Sequence, residues 1–222
     1  MKSKLTKPDS VLLAQSLAVA LFIIALGSSS SFAQSKTIID EWSSIQAPKP
    51  PELKAVKIDD PKTTAFLVMD IIKQQCNNER RPRCIASVPK IQGFLKQARA
   101  KGVAVIYSKT SSATLADVIQ DVAPIEGEPM VSSSSDKFYK SDLEKILQEK
   151  GIKTVIVVGT AAQGAVLYTG SSAAFRGFKV IVPVDGMSDQ NTYFEQYTAY
   201  QLANVPGAAQ QVTLTTFDMI SF

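Results

Sequence analysis

From residue 63 onward the chain alternates short apolar runs with segments of helical period, and that alternation restricts the folds open to it. TAFLVM at 64–69 is a continuous apolar run, the pattern of a strand covered on both faces. Val88, Ile91, Phe94, Leu95 and Ala98 then recur at helical spacing, and Gly102 stops that helix. A second buried strand is expected at 103–107, a third at 154–158, a fourth at 179–183 and a last one at 211–216. Between them, Leu143, Ile146 and Leu147 form a helical stripe behind a capping-box pattern at Ser141 and Glu144, closed by Gly151. Further helices are expected at 166–176, closed by Gly177, and at 192–203, where Thr192 and Glu195 repeat the capping-box spacing. Residues 110–135 are rich in Ser, Asp, Pro and Gly and read mainly as irregular structure. Strands and helices alternating at these spacings predict an α/β fold of three layers, a mostly parallel sheet flanked by helices. No internal repeat is visible.

Residues 1–33 stand apart. Lys2, Lys4 and Lys7 precede a largely apolar stretch from Val11 to Leu26, and Ser31-Phe32-Ala33 suits a signal-peptidase site. The expectation is an exported protein, periplasmic or secreted, with no stable membrane anchor after cleavage; a retained N-terminal anchor is the alternative. Removing 1–33 takes away three lysines and Asp9, so the formal charge falls from +4 to +2. That balance leaves no basic stripe for nucleic acid. Residues 34–62 hold Pro48, Pro50, Pro51 and Pro61 and read as an extended N-terminal arm, with Trp42 as an anchor. Residues 63–222 form the single remaining domain.

The 222 residues include no histidine, which excludes Ser-His-Asp and Cys-His catalysis. With only two cysteines to supply the usual ligands, a zinc site is not expected, and neither is another cofactor. Cys76 and Cys84 bracket the loop CNNERRPRC, and in an oxidising compartment they are expected to form a disulfide. The alternative is a reactive thiol at Cys76, close in sequence to Asp70.

In parallel α/β sheets ligands bind outside the carboxyl ends of the strands. Asp70 directly follows the first strand and is placed to trade protons there; a turn or capping role is the alternative. Ser108, Lys109 and Thr110 end the second strand, and Lys137 precedes a helix after a serine run. The third strand runs into GTAAQGAVLYTG at 159–170, a strand-to-helix turn of the kind whose N–H groups hold a developing anion, yet one without a nucleophile. Arg80, Arg81 and Arg83 follow Asp70 and are placed to attract a carboxylate, or simply to form a solvated cluster. Ser108, Gln163 and Arg80 make up the expected substrate-contacting set. Gly164, Ala165 and residues 170–174 give a helix face of small side chains, which leaves room for a ligand or permits close packing on the sheet.

The aspartate closing the first strand, the later lysine, and the glycine- and alanine-rich turn together resemble the isochorismatase-like cysteine hydrolase superfamily. PKIQGFL at 89–95, ARAKGVAVIY at 98–107, GIKTVIVVG at 151–159 and GFKVIVPVDG at 177–186 extend the resemblance from about Thr63 to Thr216. It implies a Rossmann-like fold with a six-stranded sheet and an Asp-Lys-Cys triad at the strand ends. By position Asp70 is then the acid or base and Lys137 its cationic partner, while the cysteine falls at Ala165. It further implies a cis peptide between Thr160 and Ala161, which with the N–H of Ala165 forms an oxyanion hole. Family zinc sites, found in the nicotinamidase branch, need histidines that this chain lacks. Homo-oligomers are common in the superfamily.

Alanine cannot form a thioester, so covalent amidase chemistry is not expected. Two readings follow. In the first, as in the true isochorismatases that this chain resembles in lacking the cysteine, Asp70 assists non-covalent hydrolysis of a vinyl-ether-type bond in a small substrate. In the second, the chain is an inactive pseudoenzyme or a small-ligand-binding protein. An alanine introduced at 165 to trap a substrate is a third origin for the same residue.

Overall fold

The computed structural model describes residues 36–222, so the expected signal segment 1–33 lies outside the described residues. Among the described residues no helix is long and apolar enough to cross a membrane. The described residues fall into two units, one up to Ala47 and the other Pro48–Phe222. In the first, Ile38–Glu41 (α1) is one helical turn whose start is capped reciprocally by Thr37 and Asp40. Trp42, the expected anchor, is 71% exposed. Residues 48–62 belong to the second unit rather than to a separate arm. There Val56–Lys57 (β1) pairs in parallel with the C-terminal Ile220–Ser221 (β9).

The main sheet is built from Thr64–Met69 (β2), Ala104–Lys109 (β3), Met130–Ser132 (β4), Thr154–Thr160 (β5), Lys179–Pro183 (β6) and Val212–Thr215 (β8). Their spatial order is β4-β3-β2-β5-β6-β8, and every pairing is parallel. Met187–Ser188 (β7) adds a short parallel pairing at the end of β5. The chain therefore starts at the centre with β2, builds outward to β4, and returns to the other side of β2 with β5. The strand order reverses between β2 and β5, so a crevice is expected at their carboxyl ends.

Burial on both faces explains the unbroken apolar runs. Ala65, Leu67 and Met69 of β2 pack with Val155 and Val157 of β5 in one core cluster. That cluster also takes in Leu143–Glu149 (α3), Leu167–Phe175 (α4) and Thr192–Asn204 (α5), through Leu143, Leu147, Ala173, Ala174, Ala199 and Leu202. Phe66 and Val68 point the other way, with Ile156 and Val158, against Val88, Ile91, Phe94, Leu95 and Ala98 of Pro82–Ala100 (α2). Each such side chain contributes roughly 1.5–3 kcal/mol when fully buried, which makes the period-2 alternation on β2 and β5 the main determinant of register.

Four local expectations are corrected. β4 lies within the stretch expected to be mainly irregular, as a three-residue edge strand too short to show a pattern. Neither capping box forms. Asp142 is the N-cap of α3, Ser141 Oγ accepts from the Leu143 N–H at 3.2 Å, and Glu144 accepts from Arg176 Nε at 3.0 Å instead. Asn191, not Thr192, caps α5, its side chain accepting from the Phe194 N–H at 3.2 Å. The helix after β5 starts earlier than expected, as a π-helical turn at Ala162–Val166 that leads into α4.

Candidate active site

Asp70 follows β2 with a φ of 53°, a left-handed conformation uncommon for aspartate. Its N–H donates to Ser108 O at 3.2 Å, and its carbonyl accepts from the Ile72 N–H at 2.8 Å. The carboxylate is 6% exposed, with Oδ1 accepting from Ser108 Oγ at 2.8 Å and Oδ2 from Lys137 Nζ at 2.7 Å. Lys137 is 1% exposed, and its ammonium also donates to Ser134 O at 2.8 Å and Ser133 O at 3.4 Å. Three donors thus meet three acceptors. The Lys137 N–H donates to Thr169 Oγ1 at 3.0 Å, which ties the lysine to α4.

On the other side of the switch point, Gly159 pairs with Met69, the residue before Asp70. Its φ is +132°, and a Cβ there would lie 2.0 Å from the Met69 carbonyl oxygen. Only glycine lets β5 approach β2 this closely, and the turn that follows is thereby set beside Asp70. The Thr160–Ala161 peptide bond is cis. Thr160 Oγ1 donates to Ser188 O at 2.9 Å, and the π-helical turn carries Gln163, Gly164 and Ala165 past the end of β2.

A cleft of about 290 Å³ opens between these elements. Asp70, Arg81, Thr160, Ala161 and Ala165 line it, with Ser133, Ser134 and Ser135 on a hydroxyl-rich wall. A larger recess, about 610 Å³, lies against the starts of β2, β5 and β6, at the opposite end of the sheet from Asp70 and Lys137. Two of its charged residues, Lys57 and Asp59, have largely exposed side chains paired with each other. The smaller cleft is lined by Asp70, whose buried partner Lys137 lies behind it, and it sits where parallel sheets bind ligands, which makes it the candidate site.

The structure brings Asp70, Lys137, Ser108, Thr160, Ala161 and Ala165 together. Ser108 stands behind Asp70 rather than on the cleft wall. Gln163 uses its N–H to reach Asp189 Oδ2 at 3.1 Å, and its side chain is not part of the lining. Arg80 does not reach the cleft: it is exposed and donates to Gln74 O at 3.4 Å. Its neighbour Arg81 lines the cleft instead. Cys76 and Cys84 are joined as a disulfide with their Cα atoms 5.2 Å apart, closing the loop that carries both arginines.

Arg81, 6% exposed, donates from Nη1 to Gln75 Oε1 at 2.7 Å and Gln75 O at 3.3 Å. Burial, then the charge of Arg80, pushes its guanidinium below the ordinary value, opposed by Asp189 and Asp70. Arg83 forms a two-pronged pair with Glu195, Nε to Oε1 at 2.7 Å and Nη2 to Oε2 at 2.5 Å. Glu195 Oε1 in turn accepts from the Asp189 N–H at 3.0 Å. The three arginines therefore divide into one solvated, one facing the cleft and one bracing α5. Among the described residues no group of three or more His, Cys, Asp or Glu is placed to hold a metal ion.

Fold and site together define an α/β protein with a buried acid–lysine pair at the switch point of a parallel sheet. Residues 64–216 match the isochorismatase domain family, and the chain belongs to it. It is 28% identical over 145 residues to an N-carbamoylsarcosine amidase of Arthrobacter sp, covering 53% of this chain and 55% of the relative. A secreted isochorismatase effector, Isc1, of Verticillium dahliae is 29% identical over 117 residues, covering 48% of this chain and 62% of that protein. The chain thus spans about half to three-fifths of the length of these relatives. Among solved structures, a cysteine hydrolase from Pseudomonas syringae pv. phaseolicola 1448A superposes with a TM-score of 0.64 at 22% identity, covering 76% of this chain and 94% of that one. An N-carbamoylsarcosine amidase from Thermoplasma acidophilum gives 0.60 at 20% identity, covering 70% and 97%. At these identities the superpositions speak for the fold.

Proposed function

We propose that this isochorismatase-like hydrolase is exported and hydrolyses a small substrate without a covalent intermediate, Asp70 moving the proton. The observation that carries the reading is the buried Asp70–Lys137 pair on a cleft whose wall, where the family resemblance puts the nucleophile, is the methyl group of Ala165. A vinyl ether suits such a site. The protonated Asp70 gives its proton to the terminal vinyl carbon, and an oxocarbenium ion forms. Water adds to that ion and returns a proton to Asp70; the hemiketal then collapses, releasing an alcohol and a carbonyl compound. Lys137 balances the carboxylate left by proton transfer, and Ser108 fixes its orientation. The family resemblance assigns the N–H groups of Ala161 and Ala165 to an oxyanion hole, which in this scheme serves the leaving oxygen as the hemiketal collapses. The similarity to a secreted relative and the Cys76–Cys84 disulfide support export.

One observation favours a second reading, a ligand-binding protein without turnover. Both Asp70 oxygens accept hydrogen bonds, the arrangement of an ionised, acceptor-only carboxylate. A hydrolase screen over vinyl ethers, amides and ureides separates the two, comparing the parent with Asp70→Asn and Ala165→Cys. Turnover of vinyl ethers that is lost in Asp70→Asn supports the hydrolase. A silent parent, with amide turnover gained by Ala165→Cys, supports a site that has lost its covalent chemistry.

A further inference from the structure

The cleft is lined by a cation whose hydrogen-bonding capacity is only partly used. Lys137 gives its three donors to Asp70, Ser134 and Ser133. Arg81 does not match it. Among the described residues its guanidinium hydrogen-bonds only from Nη1, to Gln75, and its buried Nε has no partner. The facing carboxylate, Asp189, has its nearer oxygen 3.8 Å from that Nε, beyond hydrogen-bond distance. Asp189 is otherwise engaged: Oδ1 accepts from the Gln190 N–H at 2.8 Å and Oδ2 from the Gln163 N–H at 3.1 Å. An orphaned guanidinium donor in a protein interior is costly unless something else completes it.

We propose that Arg81 is the anion-binding residue of the cleft and takes the carboxylate of a small acid. The inference rests on the hydrolase reading only in placing that acid as the substrate. A guanidinium presents its donors as a planar fork that matches a carboxylate. The lining sets Arg81 and Asp70 around one volume of about 290 Å³, so an acid held by Arg81 extends toward Asp70 and Ala165. That volume is at the small end of ligand sites. The hydroxyls of Ser134, Ser135 and Thr110 suit an acid with further hydrogen-bonding groups over a purely aliphatic one. The disulfide, which encloses Arg81, and the Arg83–Glu195 pair two residues on hold the loop that carries it. Asp189 keeps the free site close to neutral, and Nη2, which makes no hydrogen bond among the described residues, is left to donate to a second carboxylate.

Titration calorimetry and ligand-observed NMR with lactate and benzoate, each against its primary amide, test the assignment at low ionic strength. The acids are expected to bind about tenfold or more tightly than the amides. The preference should vanish in Arg81→Gln and persist in Arg80→Gln, which lies outside the cleft. In the wild-type protein the Arg81 Nε–H resonance should shift on addition of acid and not of amide, a readout that survives if Arg81→Gln does not fold. Equal binding of acid and amide, a preference unchanged in Arg81→Gln, or a silent Nε–H resonance would each overturn the proposal. Acid preference without turnover of any substrate would contradict the hydrolase reading and leave the Arg81 assignment standing.

Discussion

Replacing Lys137 by methionine removes the ammonium from beside Asp70 and leaves a carboxylate that is 6% exposed with only the Ser108 hydroxyl. Breaking one side of a buried pair typically costs about 3–5 kcal/mol, because the remaining charge is desolvated without compensation. A domain of this size loses roughly 2–4 °C of Tm per kcal/mol, so Lys137→Met should melt about 6–20 °C lower. Asp70→Asn should cost a comparable amount, since Lys137 keeps only the carbonyls of Ser133 and Ser134. The double variant has no net charge to strand, and its loss should be at least about 2 kcal/mol smaller than the sum of the singles. Urea unfolding followed by far-UV circular dichroism gives all four stabilities, since the single tryptophan, Trp42, lies in the other unit. A double variant that loses the full sum would refute the reasoning, because the two groups would then be independent. A double variant that is stable but inactive would show a pair retained for its chemistry at a cost in stability.

Gly159→Ala forces a Cβ to within 2.0 Å of a backbone oxygen that cannot rotate away, at a φ of +132°. A loss of about 3 kcal/mol or more is expected in thermal melts, and a Tm within 2 °C of the parent would contradict the close approach of β5 to β2. Reducing the Cys76–Cys84 disulfide releases a short loop and should lower stability by about 2–3 kcal/mol, measured by denaturation with and without reductant. Asp117 accepts from the N–H and hydroxyl of Thr114, which hold its carboxyl below the usual range. This contribution to stability is full above the ordinary carboxylate pKa and is lost as pH falls through the depressed value. An NMR titration should place the Asp117 midpoint below that of an ordinary aspartate, and Thr114→Val should return it toward normal.

The sheet was legible because its central strands are buried on both faces and therefore read as unbroken apolar runs. Asp70 and Lys137 were legible through their positions at a strand end and before a helix, together with the family resemblance. Other parts depend on contacts that no local pattern encodes. β4 has three residues and gains its identity only from lying beside β3. Arg80 and Arg81 are chemically identical neighbours, and which one faces the cleft is decided by the closed 76–84 loop and the start of α2 at Pro82. Glu195 sits at capping spacing from Thr192, but a bond to Arg83, 112 residues away in sequence, outcompetes that local role. Strand-end position puts Ser108 in the substrate-contacting set, whereas in the fold its hydroxyl donates to Asp70.

The central claim is that Asp70 moves the proton in a hydrolysis with no covalent intermediate. Its most direct test is the ratio of kcat/KM between the parent and Asp70→Asn on the best vinyl-ether substrate, with the protein's intact mass followed during turnover. A general acid contributes about 10²–10⁴-fold, so a drop in that range with no mass adduct is predicted. Undiminished turnover in Asp70→Asn, or a substrate-derived adduct on the parent, would contradict the account.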